Sequence, residues 1–395
     1  MVALLSPDRR PQPAGGGIPN RLRRVAPALL LAALLALRPM AGGAAPVQDA
    51  ARQASEADLR QFIAEHFPHW DRNQDGALDL QEINKAIESP AVQGREAATI
   101  VAAYRQHMDE SKGGQMRVGR EELLALAGDR KFAKQVEGLT KRLAAAERRL
   151  FLPSDPDLSS FHQGRVGDCY LLSPIAAAVN RDPQGVRDLI RPAKNGGFEV
   201  RFGDGRKVRV AAITDAELLM GAKMDGTHGI WLTVLEKAYG IIRERERTSK
   251  KGLPPQSKAA VPYEVIGGGN PCPVIALLTG HQADHVLDKD LPDQKLHELL
   301  TRLTRKRRLI CCGTEKGKTL PPGVGGGHIY AIFGYDNGRR QVKVFNPWGN
   351  TFTPSGAPGL ANGYATVHGV FVVPLAEFRK IFKAVRFETG NPARE

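Results

Sequence analysis

The chain has 395 residues, of which 25 % are charged and 42 % hydrophobic, enough for more than one folded unit with a packed core. Its formal net charge is +14, which suits an acidic partner or surface. The basic residues fall in scattered clusters (Arg21–Arg24, Arg243–Lys251, Arg305–Arg308) with no aromatic series between them, the pattern of a solvated basic surface rather than a nucleic-acid site.

The first 45 residues read as an export signal. Arg21, Arg23 and Arg24 precede thirteen residues, VAPALLLAALLAL (Val25–Leu37), and small residues follow at 41–45. Basic, apolar, then small is the order of a secretory leader, and thirteen residues are too few to span a bilayer. Cleavage is expected after Ala44 or Ala45. No cysteine follows the apolar run as a lipoprotein anchor would require.

Residues 55–128 alternate helical stretches with polar loops. DRNQDGALDLQE, Asp71 to Glu82, places Asp71, Asn73, Asp75 and Asp79 at loop positions 1, 3, 5 and 9. Gly76 stands at the sharp turn, Ala77 offers its backbone carbonyl, and Glu82 at position 12 can bind in bidentate fashion. Hard oxygen ligands at this spacing are what Ca²⁺ requires, and the short amphipathic flanks fit an EF-hand. A paired loop is expected at Asp109–Arg120, with Gly114 at position 6 and Met116 at position 8. There Gly113 and Arg120 stand where positions 5 and 12 need oxygen, so this half is expected to hold no calcium. Residues 129–152 are charged, alanine-rich and helically periodic, a helical linker. Mixed α and β texture follows from 153 to 388. GVGGGH and VIGGGN lack the Lys-Ser/Thr of a phosphate loop, and no solenoid repeat is present.

Four cysteines occur, Cys169, Cys272, Cys311 and Cys312. The adjacent pair points to opposite faces of a strand, and Cys272, Cys311 and Cys312 read as small core residues. Cys169 differs. CYLLSPIAAAVN after Asp168 reads as an apolar helix beginning at the thiol, and a helix N-terminus or an imidazolium lowers a thiol pKa. Pro174 removes one early hydrogen bond. Downstream, HIYAIFGY and QVKVF are strand-like around Asp336-Asn337-Gly338. A three-residue loop there sets Tyr335 opposite Arg339 and His328 directly opposite Asn346. Amide and imidazole then hydrogen-bond, the Cys-His-Asn version of the triad logic.

At these residues the chain resembles the calpain-type cysteine proteases. QGRVGDCYLL is similar to the family's nucleophile segment, GGGHIYAIFGYD to its histidine strand and VFNPWGN to its asparagine segment. GIWLTVLEKAYG and HGVFVVPLAEFRKIF resemble further core segments, and the likeness covers residues 153–388. It implies an α+β fold: a two-lobed papain-like core, one half helical with Cys169, the other β-rich with His328 and Asn346, here preceded by an all-α EF-hand pair. It also implies that Gln163 contributes to an oxyanion hole and that Trp348 shields the His–Asn contact. Tyr170 stands where the family usually has Trp, and Ser160 where animal members have a calcium-binding aspartate. NPWGNTF lacks the acidic residue expected soon after its glycine. The expectation is an exported, secreted or periplasmic cysteine endopeptidase acting on proteins or peptides, with Ca²⁺ as its one cofactor, no nucleic-acid partner and no membrane span once the signal is removed. The alternative is a catalytically inactive, calcium-dependent adaptor on a protease fold.

Overall fold

The computed structural model describes residues 44–110, 116–194, 196–222, 227–250, 263–287 and 291–392. Residues 1–43 of the expected signal and 111–115 of the second loop lie outside them. From Ala51 onward the chain is one compact unit.

The N-terminal part runs α1 (Ala44–Trp70), β1 (Ala77–Asp79), α2 (Leu80–Glu88), α3 (Gly94–Glu110), β2 (Arg117–Gly119), α4 (Arg120–Leu126) and α5 (Arg130–Ala145). Two helix–loop–helix units are joined where β1 and β2 pair antiparallel, Leu78 opposite Val118 and Asp79 opposite Arg117. This pairing corrects the expected register of the second loop. Val118, not Met116, faces Leu78, and α3 continues through Glu110, so Asp109 is helical and cannot begin a loop. The two helix starts agree with the new register: Asp79 and Glu82 form a capping box at α2, and Glu122 reaches back to the Gly119 N–H at α4. Glu122, not Arg120, is therefore the counterpart of Glu82. The linker also differs from expectation. Helix α5 stops at Ala145, after which Glu147 captures the N–H groups of Arg148 and Arg149 and the Arg149 guanidinium, turning the chain out of the helix.

The remainder begins with α6 (Cys169–Arg181), α7 (Pro183–Asp188), β3 (Ile190–Pro192), β4 (Phe198–Arg201), β5 (Lys207–Val210), α8 (Asp215–Met220), α9 (Trp231–Lys250) and α10 (Pro271–Thr279). It continues with β6 (His281–Leu287), α11 (Asp293–Arg305), β7 (Ile310–Thr314), β8 (Ile329–Asp336), β9 (Gln341–Phe345), β10 (Val370–Pro374), α12 (Leu375–Ile381) and β11 (Phe382–Pro392). Strands β3-β4-β5 make a small antiparallel sheet among the helices, and the later strands a six-stranded one ordered β10-β9-β8-β7-β11-β6. The fold is thus α+β, with the helical elements and the larger sheet arranged around α6. That helix is buried from Tyr170 to Val179, which is why its sequence is apolar all round. On α11, Leu296, Leu299, Leu300 and Leu303 recur at the spacing of one helix face and cover the other side of the sheet. Strand alternation sends Cys311 into the core shared with α6 and Cys312 into the core shared with α11. Cys272 is only half-buried, so its expected core role is not met.

The hairpin β8–β9 corrects the predicted register. Asp336 pairs with Gln341, so the turn is the four residues 337–340, closed by Arg340 at φ +53°. At Phe333 the ladder slips by one residue, and beyond it Ile332 pairs with Val344 and Ala331 with Phe345. Extended by this register, Asn346 falls opposite Tyr330, not His328. His328 and Asn346 are diagonal neighbours on the same face. Had the register of the turn continued without the bulge, they would stand on opposite faces.

The N-terminal helices share one continuous core with the rest of the compact unit: Leu59, Ile83 and Val101 belong to the same cluster as Phe161, Leu218 and Trp231. Polar bonds to α8 and its cap fix the seam. Thr214 Oγ1 donates to the Ile87 carbonyl (2.5 Å), the Gly94 N–H donates to Asp215 (2.8 Å), and the Arg105 guanidinium donates to the Leu219 carbonyl (2.6 Å). Asp215 also pairs with Arg148 at 2.8 Å. Asp215→Ala strips the Gly94 N–H of its acceptor and should cost about 1–3 kcal/mol. Because the core is continuous, urea unfolding followed by tryptophan fluorescence should keep a single transition; two separated transitions would refute the shared core.

Candidate active site

Cys169 opens α6, and its thiol meets the backbone of Ile329, the residue after His328. One turn on, Ser173 Oγ donates to the Ile329 carbonyl at 2.9 Å. Residues i and i+4 share a helix face, so one face of α6 is pinned to the start of β8. Pro174 falls inside the helix without breaking it.

His328 is held from four sides. Its carbonyl accepts from the Thr314 N–H (2.9 Å), continuing the β7 ladder, while its own N–H donates to Thr314 Oγ1 (3.1 Å). The Tyr330 ring stands edge-on to the imidazole at 4.8 Å and the Trp348 ring lies over it at 4.4 Å. Nε2 is 2.9 Å from Asn346 Oδ1. The Trp348 backbone N–H also points at Oδ1 (3.1 Å), and Asn346 Nδ2 donates to Asn350 Oδ1 (3.0 Å). A main-chain N–H can only donate, so the amide orientation is fixed, Nε2 carries the proton, and the neutral ring has Nδ1 as its free base. Trp348 needs room: a Cβ on Gly325 would collide with its ring.

Gln163 is buried, and its backbone N–H donates to the Pro347 carbonyl at 2.9 Å, tying the segment before Cys169 to the one after Asn346. Gly349, at φ +65°, lets these segments touch, since a Cβ there would collide with the Phe161 carbonyl. The Gln163 amide lies against the carboxyl of Asp168. Asp168 makes no cap bond to α6; it is fully buried beside Glu236, which takes the Ala222 N–H at 3.1 Å. Burial raises both carboxyls, Glu236 well above the usual range, and two acids so placed do not both ionise. Sequence reading missed this acid pair and Asn350. Both lie inside quoted motifs, but nothing in spacing shows that α9 delivers Glu236 behind the thiol.

Residues 129–357 match the family described as calpain family cysteine protease, well over half of the chain. The chain belongs to the calpain family of cysteine proteases. It is 24 % identical over 209 residues to human calpain-9, a match covering 47 % of this chain and 28 % of that protein. It is 25 % identical over 235 residues to the calpain-type cysteine protease DEK1 of Arabidopsis thaliana, covering 54 % of this chain and 10 % of the relative. The chain spans less than a third of the length of these curated calpains.

Outside the part that matches the family, the loop Asp71–Glu82 is wound by its own side chains. Asp71 accepts from the N–H groups of Asp75 (3.1 Å) and Gly76 (2.9 Å), Asn73 from Asp75 (2.9 Å), Asp75 from Ala77 (3.0 Å) and Asp79 from Glu82 (2.8 Å). Glu82 turns inward onto the Arg72 N–H (2.9 Å), and Gly76 takes φ +80°. Arg117 of β2 pairs with Asp75 at 3.1 Å. The donors are all oxygen and suit a hard cation. Among the described residues, no group of three or more His, Cys, Asp or Glu side chains is gathered as a metal centre would be; the loop's remaining donors are Asn73 and the Ala77 carbonyl.

Burial pushes the thiol of Cys169 up and lowers the imidazole of His328 from 6.5 to about 4, the latter partly offset by Asn346. Each group is thus neutral at rest. A folded-state imidazole this reluctant to charge binds fewer protons than the unfolded one. Its stability contribution is therefore complete above pH 6.5 and lost as the pH falls toward about 4. The loss should be about 3 kcal/mol. Urea unfolding from pH 7 to pH 4 should show a steeper decline for the native chain than for His328→Gln; parallel declines would refute the buried neutral imidazole.

Proposed function

We propose that this protein is an exported cysteine endopeptidase. The observation that carries the reading is the fixed Nε2–H···Oδ1 bond between His328 and Asn346, beside a strand start that meets the Cys169 thiol. In the proposed reaction Nδ1 takes the thiol proton and the sulfur attacks the peptide carbonyl. The imidazolium returns the proton to the leaving amine, and water then hydrolyses the thioester by the same base. Charging sulfur and ring together offsets the burial that opposes charging either alone. Asn346 holds the ring plane, and Trp348 keeps water from the bond. The Cys169 N–H at the start of α6 and the Gln163 amide are the oxyanion donors. Proteins or peptides are the substrates. Cys169→Ala should abolish cleavage of a fluorogenic peptide library with the fold retained, and Asn346→Ala should lower kcat by about 10²-fold. Undiminished cleavage by the alanine variant at Cys169 would overturn the mechanism; no cleavage by the native chain would leave the adaptor reading.

We further propose that the two helix–loop–helix units are an EF-hand pair with one calcium site. Asp71, Asn73, Asp75, the Ala77 carbonyl, Asp79 and Glu82 would hold the ion, which would supply charge neutralisation to the loop and so brace α1 against α2. The partner loop in its corrected register has Glu122 as its one carboxylate at a ligand position, too few for a second ion. Export rests on the leader at 1–45. Native mass spectrometry of the protein recovered outside its cell should show an N terminus next to Ala45 and one calcium ion. Two ions, or an intact leader, would refute the corresponding proposal.

A further inference from the structure

A cavity of about 110 Å³ lies between the C-terminal end of α6, the turn after α11 and the bulge of β8, far along both α6 and β8 from Cys169 and His328. Holding one water takes roughly 10–15 Å³ on this scale, so the space admits an ion of several heavy atoms. Its walls are cationic: Arg181, Arg307 and Arg308 line it together with Asn180 and Thr304, and no acidic side chain does so among the described residues. One buried carboxylate stands behind the wall. Glu388 takes Arg181 (2.8 Å) and Arg308 (3.0 Å), and it takes His281 (2.5 Å) and the Leu309 N–H as well. It is already saturated by donors, so positive charge remains in surplus at the cavity.

Two buried polar atoms there lack partners among the described residues: the hydroxyl Oγ1 of Thr304 and Nε of Arg308. A helical threonine ordinarily returns its hydroxyl to the preceding turn. Here it does not, although Thr301 of the same helix does, donating to the His297 carbonyl at 2.7 Å. Buried donors left unpaired are costly, and both belong to residues that line one cationic cavity. Arg307 is set at φ +50° just past the end of α11, and its guanidinium, exposed at the rim, donates to the Arg181 carbonyl beside the cavity it lines.

We infer that this cavity is a binding site for a tetrahedral oxyanion of the phosphate or sulfate class, held by Arg307, the Nε–H of Arg308 and the Thr304 hydroxyl. Planar guanidinium groups and a hydroxyl are the donors such an ion takes. The bulge residue Phe333 is among the lining residues, so the bound ion would lie beside the feature that sets the face of His328. The site does not depend on the protease reading, and its binding is measured without substrate.

The test is isothermal titration of the full chain with inorganic phosphate, and separately with a phosphoserine peptide, against chloride at matched ionic strength. Saturable binding of the free ion assigns a small-ion site; binding of the peptide alone assigns a phosphoryl group carried on protein. Either supports the oxyanion class. Arg307→Ala should weaken binding at least tenfold, and Thr304→Val, which keeps shape and removes only the hydroxyl, severalfold. No saturable binding, or equal binding by both variants and the native chain, would overturn the inference. Thr304→Val also guards against a folding failure, since its thermal midpoint without phosphate should be at or above that of the native chain.

Discussion

The single extra residue at Phe333 decides which side of the sheet His328 faces. On the turn side of the slip the ladder puts His328 and Asn346 on opposite faces; past it they share one. The hydrogen bond between them then orders much of what surrounds it. Oδ1 can accept from Nε2 only because the Trp348 N–H holds the amide, and Trp348 reaches that position only because Gly325 has no side chain. The imidazole is walled by Tyr330 and Trp348, which makes it dry and therefore neutral. A bulge of this kind re-aims a side chain at the end of a strand.

The two halves of the site are joined by backbone rather than by side-chain charge. Ser173 and Cys169 both meet Ile329, and Gln163 meets Pro347, so α6 and its approach are clamped to the two ends of the β8–β9 hairpin. Behind them Asp168 and Glu236 occupy the place where a helix start would ordinarily find a capping side chain or water. Burial there favours the protonated form of both acids, which lie beside the Gln163 amide.

The elements carrying the chemistry were legible because their patterns are local. Cys169 at the head of an apolar helix, the two strands around Asp336, and opposite facing of Cys311 and Cys312 all follow from periodicity and turn residues. The register did not. Asp336-Asn337-Gly338 has the composition of a three-residue turn, but the chain uses four residues and a bulge, and nothing in the identity of Phe333 announces it. His328 and Asn346 still meet because two slips of opposite effect leave them on one face. The second loop failed for a similar reason: its first acid, Asp109, is still in α3, and only the pairing of β1 with β2 reveals Glu122 as the counterpart of Glu82. The α8 seam and Glu236 were invisible because they join residues more than sixty positions from their partners.

The burial of Cys169 has a bearing on how readily its sulfur is oxidised. The thiolate, not the thiol, is the form that attacks peroxides and disulfides. Burial favours the protonated sulfur at rest, and Cys311 and Cys312 stand back to back in separate cores, both fully buried. In the proposed reaction the sulfur becomes vulnerable when the imidazole draws off its proton, so the step that would make it reactive would also expose it to oxidation.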